Sequence, residues 1–431
     1  MKYYAFVHFG PNTFTDVEWG RGDEKPEVFN PSRLDCRQWV RIFKQAGMEG
    51  VIITAKHHDG FCLWPSQYST HTVRESPWKE GKGDVLRELA DACREYGLKL
   101  GVYLSPWDRN HPDYGSDRYN QTFMNMLGEV LTRYGDVFEV WFDGANGEGP
   151  NGKKQVYDWK GFVETVRAHQ PNAVIFSDAG PDVRWIGNEN GFADTTNWCT
   201  VNSEAWYPGI PDVNDELQHG HEGGKNWLPA EVNTSIRPGW FYHRAEDERV
   251  KPLDRLVGNY FSSVGMNGNF LLNIPVDARG IVHENDSARL TELRRYLDEA
   301  FGFDLAAGAV ASASQVRGAG YEAALTLDGN AATYWATNDE TRQAWLGLEF
   351  PTSKRVEAVS LREPVSMGQR IKSFVIEAEM NGNWEEIARG TTIGNRRIVR
   401  TRAMEATALR IRILESLACP LLSTVEVYDL P

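Results

Sequence analysis

The sequence predicts an α/β fold, a (β/α)8-like barrel, followed by an all-β sandwich of jelly-roll type. Three observations carry this. A unit of amphipathic helix, C-terminal glycine, short loop and buried strand occurs three times before residue 145. Strand candidates reach roughly eight within the first ~300 residues, the count of a closed parallel barrel. Beyond a helix near Leu290–Phe301 the pattern changes to short alternating runs separated by turn residues. The boundary is placed at residue 305, giving a catalytic-type barrel over 1–305 and a β-sandwich over 306–431. A chain of 431 residues is long enough for both.

The units follow in order. Trp39, Val40, Phe43 and Met48 recur at helical spacing, and Val51-Ile52-Ile53-Thr54 follows as a strand. Val85, Leu86, Leu89, Ala90 and Cys93 form a second stripe, with Asp84 as N-cap and Gly97 as its stop, before Leu98–Leu104. Phe123, Met126, Leu127, Val130 and Leu131 form a third, closing at Gly135 before Val137-Phe138-Glu139-Val140-Trp141-Phe142. Tyr3–Phe9, Ala173–Ser177, Trp227–Thr234 and Asn269–Ile274 are further strand candidates, and residues 178–226 read as long, site-forming loops. No G-x-G-x-x-G follows the first strand, which argues against a dinucleotide fold. Ala307-Gly308-Ala309 and Ser312–Gly320 read as a small-residue joint. The sandwich runs are Trp345–Phe350, Val356–Leu361, Ser373–Ala378, Ala408–Ile413 and Val425–Tyr428.

Net charge is −14 with no basic stripe, so neither nucleic acid nor an anionic membrane surface is an expected partner. No apolar stretch approaches the ~20 residues of a membrane span, so no membrane insertion is expected. Cys36, Cys62, Cys93, Cys199 and Cys419 are widely spaced and imply neither a disulfide framework nor a zinc site. Aromatic residues reach 12%; most fill core, but indole faces also suit the C–H surface of a sugar.

Chemistry-bearing residues gather at the strand ends, where parallel α/β folds keep their sites. The first strand ends at His8-Phe9-Gly10 and leads to Glu18-Trp19; the second ends at Lys56-His57-His58-Asp59-Gly60-Phe61. The third carries Tyr103 and Trp107, the fourth Trp141 and Asp143. Adjacent His57 and His58 point to opposite faces of an extended chain, which argues against both ligating one metal. The favoured reading is a hydroxyl-binding pocket with Trp19, Trp107 and Trp141 as apolar walls. Glycoside hydrolysis needs two carboxyl groups, one ionised and one protonated near neutral pH. Asp143 suits the first role. Asp178, Glu189, Glu204 and Glu231 are open for the second. Glu189 lies in the aromatic segment Arg184-Trp185-Ile186-Gly187-Asn188-Glu189, where desolvation would raise its pKa, although an ion pair with Arg184 is equally natural.

Taken together, Tyr3–Gly10, Ala55–Phe61, Trp141–Gly144 and Leu271-Leu272-Asn273-Ile274-Pro275 resemble the retaining α-L-fucosidases of glycoside hydrolase family 29. The resemblance implies that Asp143 is the nucleophile and that no catalytic metal or cofactor is required. It implies that His8, Glu18, Trp19, His57, His58, Tyr103, Trp141 and Trp240 bind the substrate. The Trp-Ile-Gly-Asn-Glu segment is similar to the branch acting on α-1,3/1,4-linked fucose of Lewis-type glycans, which implies Glu189 as acid/base. Trp198, Trp206, Trp227 and Trp240 would offer surfaces to the neighbouring sugar. Other readings are a barrel glycosidase for another sugar and a carbohydrate-binding protein with an inactive barrel. The implied partners are fucosylated oligosaccharides or glycoconjugates, and the implied compartment is periplasmic or extracellular, with a leader absent from this sequence.

Ala323–Leu327, Asp328-Gly329-Asn330, Thr333-Tyr334-Trp335-Ala336 and Trp345-Leu346-Gly347-Leu348 resemble discoidin modules of the coagulation factor V/VIII C type. These residues build a sandwich core, so they imply a fold and no particular ligand. Such modules often hold a structural calcium ion, with Asp328 the ligand the resemblance suggests.

Overall fold

The computed structural model describes residues 2–380 and 382–431. Eight parallel strands close a barrel in sequence order. They are β1 (Tyr3–Val7), β2 (Gly50–Lys56), β3 (Lys99–Leu104), β4 (Val137–Trp141), β5 (Val174–Ser177), β6 (Val183–Trp185), β7 (Ala230–Ser235) and β8 (Gly268–Asn273). The longer surrounding helices are α1 (Cys36–Gln45), α2 (Val85–Tyr96), α3 (Asp117–Arg133), α4 (Trp159–His169), α5 (Leu253–Ser263) and α6 (Glu284–Phe301).

Local chemistry sets these elements. Asp35, Asp84 and Asp158 cap α1, α2 and α4 by accepting the backbone N–H of Gln38, Arg87 and Gly161, groups that have no partner inside the helix. Gly97 stops α2 in the left-handed region, at φ 69°. Trp39, Val40, Phe43, Leu86, Leu89, Phe123 and Leu127 pack the helices onto the outer strand faces and are fully buried. Each such aliphatic or Phe side chain contributes roughly 1.5–3 kcal/mol. Inside the barrel, Tyr4, Phe6, Ile52, Tyr103, Trp141, Phe176 and Leu271 form a separate core. Successive side chains of a strand alternate between these two cores.

β6 is where the structure departs from the sequence reading. It lies inside the stretch read as loops, spans Val183–Trp185, and follows β5 without a crossover helix. The predicted strand Trp227–Thr234 is in fact two pieces, a short antiparallel pair of Thr200–Val201 with Asn226–Trp227 and then β7.

The second domain holds β9 (Val310–Ala313), β10 (Ala344–Arg362), β11 (Ile371–Met380), β12 (Asn383–Gly390), β13 (Arg397–Ser416) and β14 (Thr424–Tyr428). They pair antiparallel in the order β9-β10-β13-β11-β12, with β14 on β10. The two predicted runs Trp345–Phe350 and Val356–Leu361 are halves of β10, separated by a register shift between Glu349 and Lys354, with a second shift between Val356 and Ala358 inside the latter run. β9 arises within the stretch read as a joint, where small residues alternate in burial.

This sandwich grips one barrel loop. Thr391 Oγ1 donates to Thr195 O at 2.6 Å, Asn197 N–H to Thr392 Oγ1 at 2.9 Å and Cys199 N–H to Gln369 Oε1 at 2.8 Å. Gln369 Nε2 returns a bond to Asn197 O at 2.9 Å, and Arg397 reaches Thr195 O at 2.6 Å. The sandwich thus supplies hydrogen-bond partners to backbone groups at both ends of the gripped segment, including the buried Asn197 and Cys199.

Candidate active site

The C-terminal ends of the strands surround a cleft of about 290 Å3, lined by Phe6, His8, Glu18, Trp19, His57, His58, Tyr103, Trp141, Asp143, Ala145, Glu189, Asn233 and Trp240. All ten site residues named from the sequence therefore face one cavity. Six barrel strands, or the loops that leave them, contribute.

Asp143 follows β4. Its Oδ2 accepts the Tyr103 hydroxyl at 2.9 Å and its Oδ1 the Ala145 N–H at 2.8 Å, with His58 Nε2 at 3.8 Å from Oδ2. Burial and then the Asp143 charge push the Tyr103 hydroxyl well up, so it remains a neutral donor. Glycine permits a close approach here: a Cβ on Gly144 would lie 2.3 Å from Gly209 N and 2.5 Å from Asp178 Oδ2. The loop ending at Gly209 thus presses directly on the strand end that carries Asp143.

The adjacent histidines do not diverge as an extended chain would require. A turn follows β2, closed by Gly60 N–H donating to His57 O at 3.0 Å with Gly60 at φ 84°. Both rings consequently face the cleft, with centroids 4.1 Å apart. Below them Lys56 is buried in an ion pair with Asp108 at 3.2 Å, which fixes the segment from beneath. Burial holds His58 down to about 4, His8 to about 3, and His57 well below its ordinary value. All three are neutral at pH 7.

The tautomer of His8 follows from its neighbours. Asn273 Nδ2 donates to Ser235 Oγ and Trp240 O, each at 2.8 Å, which orients the amide so that Oδ1 faces His8 Nδ1 at 2.8 Å. His8 therefore carries its proton on Nδ1 and keeps Nε2 as an acceptor. His57 Nδ1 is buried with no hydrogen-bond partner among the described residues. Nε2, the ring's other nitrogen, is the one left open toward the cleft.

Glu189 stands across the cleft, on the loop after β6. Its Oε2 accepts the Trp240 indole N–H at 3.1 Å. Although the residue is open to solvent along one side, loss of hydration raises its carboxyl pKa; Asp143 and Glu18 add to the rise and the Trp240 bond opposes it. Glu18 lines the cleft with both oxygens already engaged, by Trp240 N–H at 2.9 Å, Phe241 N–H at 3.1 Å and His243 Nε2 at 2.6 Å. Burial opposes protonation of His243, but its bonds to Asp16 and Glu18 outweigh that and raise its pKa. Trp19 is 58% exposed at the rim, edge-on to Trp107 at 5.7 Å.

The other acid candidates stand elsewhere. Glu204 is exposed and 3.5 Å from Lys225. Asp178, pushed up to about 6 by burial and then by Asp143, accepts Gly209 N–H at 2.8 Å behind the cleft wall. Glu231 lies fully buried inside the barrel. Arg184 does not pair with Glu189; it is buried and donates to Leu217 O, Leu228 O, Asn197 Oδ1 and Trp198 O. Trp198 is buried and offers no surface to a neighbouring sugar, whereas Trp227 is 40% exposed. Asp328 accepts Asn330 N–H and the Thr333 hydroxyl in an exposed turn. Sequence reasoning assigned no role to Asn233, to the supporting Asn273, or to Ser105, whose hydroxyl meets His58 Nδ1 at 2.7 Å and donates to Trp107 O at 2.9 Å. Asn233 was legible as an amide near the C-terminal end of a predicted strand, and Asn273 lies in a quoted motif.

A cleft with two carboxyl groups, one set among donors and one with a raised pKa, can run acid-assisted nucleophilic substitution. The family model described as "Alpha-L-fucosidase" matches residues 3–300, and that described as "F5/8 type C domain" matches residues 309–422. The protein named "Alpha-L-fucosidase 1" from Arabidopsis thaliana is 42% identical over 431 residues, covering 98% of this chain and 84% of its own. A glycoside hydrolase 29 family member from an unknown rumen bacterium superposes with a TM-score of 0.88 at 42% identity, over 100% of this chain and 76% of that one. A Ruminococcus gnavus GH29 fucosidase in complex with fucose gives 0.90 at 32% identity, over 100% and 93%.

Proposed function

The chain belongs to the α-L-fucosidases of glycoside hydrolase family 29 and carries a C-terminal F5/8 type C domain, and on that premise we propose that it is a retaining exo-enzyme with Asp143 as nucleophile and Glu189 as acid/base. It removes fucose from fucose-containing substrates. The observation that carries the assignment of roles is the opposition of two unlike carboxyl groups in one cleft. Asp143 is set by Tyr103 and Ala145, and Glu189 has a pKa raised by its surroundings.

In the first step an Asp143 oxygen attacks the anomeric carbon while protonated Glu189 gives its proton to the leaving glycosidic oxygen. An ester between fucose and Asp143 results. Glu189, now ionised, takes a proton from water; that water attacks the anomeric carbon, and Asp143 departs as carboxylate. Two inversions give retention. Every proton and electron pair comes from these two residues and water, so the scheme calls for no metal or cofactor. His8 Nε2 and His57 Nε2 supply acceptor or donor positions for sugar hydroxyls, and the aromatic walls cover the C–H face.

The proposed substrates are fucosylated oligosaccharides or glycoconjugates with α-1,3/1,4 branches, met in a periplasmic or extracellular setting. Support for the linkage comes from the segment around Glu189 and from Trp19 and Trp240, which line the cleft; Trp227 precedes β7 and is not among the lining residues. An exo-enzyme gains selectivity by binding the neighbouring sugar and using that energy in the transition state. The test is kcat/KM on a Lewis trisaccharide against 2′-fucosyllactose. A preference of about tenfold or more for the trisaccharide is expected; equal values, or a preference for the α-1,2 linkage, remove the branch assignment.

A further inference from the structure

Beneath the cleft, inside the barrel, two buried carboxyl groups meet: Glu139 of β4 and Glu231 of β7. The fucosidase chemistry makes no use of either. Three donors converge on Glu231. Tyr4 donates its hydroxyl to Oε2, Trp141 donates its indole N–H to Oε1 at 2.9 Å, and Glu139 abuts the same carboxylate. The Trp141 indole can only donate, so Glu231 Oε1 is an acceptor, and the Tyr4 hydroxyl adds its own donor at Oε2. Two facing carboxyl groups in a dry interior cannot both stay ionised, so the pair holds one proton. The proton belongs on Glu139, because Glu231 is the group to which the other donors point.

We propose that Glu231, kept ionised by a protonated Glu139, is a positioning residue for the nucleophile and acts through Trp141 and Tyr103. The contacts run upward without a gap. Trp141, held by its N–H, is stacked between Phe176 (centroids 4.0 Å, 13°) and Tyr103 (5.3 Å, 29°). Tyr103 in turn donates to Asp143 Oδ2 at 2.9 Å. A flat ring between two others slides easily in its own plane; an edge bond to a fixed anion removes that freedom. Burial raises the pKa of both acids, as the loss of hydration around two facing carboxyl groups requires.

The inference rests on Asp143 as nucleophile, and the experiment separates the two. The full-length chain is made as Glu231→Gln, Glu139→Gln and Asp143→Ala. A glutamine at 231 removes the negative charge and turns one of two acceptors into a donor, so it either meets the Trp141 N–H donor to donor or reverses the bond with the Tyr4 hydroxyl; in both cases the anion that holds the indole edge is gone. A glutamine at 139 reproduces a protonated acid. Glu231→Gln should lower kcat by about tenfold or more with KM within about threefold, and Glu139→Gln should keep kcat within about threefold. The acid limb of the Glu231→Gln pH profile should also move to higher pH, because a carboxylate whose donor is misplaced holds its proton more tightly. Equal losses in the two glutamine variants, or a loss confined to KM with the acid limb in place, overturn the proposal. Should Glu231→Gln not fold, Trp141→Phe, which keeps the stack without the N–H, must show the same displaced limb; an unmoved limb overturns the proposal. Asp143→Ala with near-normal turnover would instead overturn the nucleophile assignment beneath it.

Discussion

Trp240 donates its indole N–H to Glu189 Oε2 across 3.1 Å, joining the loop after β7 to the carboxyl carried by the loop after β6. Glu18 secures that indole by accepting the Trp240 backbone N–H at 2.9 Å. Three loops from different parts of the barrel thereby determine how readily one proton is released.

Removing this donor tunes the acid without deleting it. The Trp240 bond stabilises ionised Glu189 and so lowers its pKa against the burial that raises it. In Trp240→Phe the pKa therefore rises. The step that needs protonated Glu189 should persist to higher pH, so the basic limb of kcat/KM moves upward. A basic limb that stays in place, or moves down, shows that Glu189 is not the group titrating there.

The two carboxylates should fail in different ways. Asp143→Ala is expected to lose about 10³-fold or more in kcat on every fucoside. Glu189→Ala should lose about 10²-fold or more on a natural glycan and far less on an aryl fucoside whose leaving group needs no proton. Azide added to Glu189→Ala should accelerate turnover of the activated substrate and yield a fucosyl azide. A Glu189 variant with normal activity on glycans would make Asp178 the next candidate, since it lies beside Gly144 with its pKa raised to about 6.

Stereochemistry follows from double displacement. NMR of the first-formed sugar should show the α-anomer, with the β-anomer appearing only as mutarotation proceeds. An initial β-anomer would mean direct attack by water and remove Asp143 from the covalent role.

A buried acid of the sandwich offers a stability test apart from catalysis. Glu363 accepts backbone N–H groups of Arg370, Ile371 and Gly394, yet burial raises its pKa to about 7. Between the unfolded value near 4.5 and about 7, the folded chain binds this proton more tightly than the unfolded chain. Its stabilisation is complete below 4.5 and is lost as pH rises toward 7. Glu363→Gln lacks that proton equilibrium, so melting temperatures at pH 5 and pH 8 should shift in the variant's favour at the higher pH. A constant difference between the two proteins would place the Glu363 pKa near its unfolded value.

Much of this was legible before the fold was known, because helix stripes, caps and strand ends are local. Asp84 and Gly97 mark α2 at both ends by the chemistry of unsatisfied backbone groups. The placement of His8, Trp141 and Asp143 at strand ends follows from the parallel-barrel pattern. β6 was not legible: three residues carry no periodicity, and no helix separates them from β5. The two histidines were misjudged because the rule of opposite faces applies to extended chain, whereas Gly60 turns the chain at that point. Glu231 was readable as an acid within a strand; that it meets Glu139 across the barrel depends on closure, which no local pattern encodes.

The grip of Gln369, Thr391, Thr392 and Arg397 on residues 195–199 bears on how such chains can be recombined. A hybrid that joins this barrel to another β-module keeps the covalent junction but strips partners from Thr195, Asn197 and Cys199. Those backbone groups lie a few residues past Glu189, on the same loop. A graft should therefore carry the stretch from Gln369 to Arg397 as part of the barrel's own equipment, whatever the rest of the module is exchanged for.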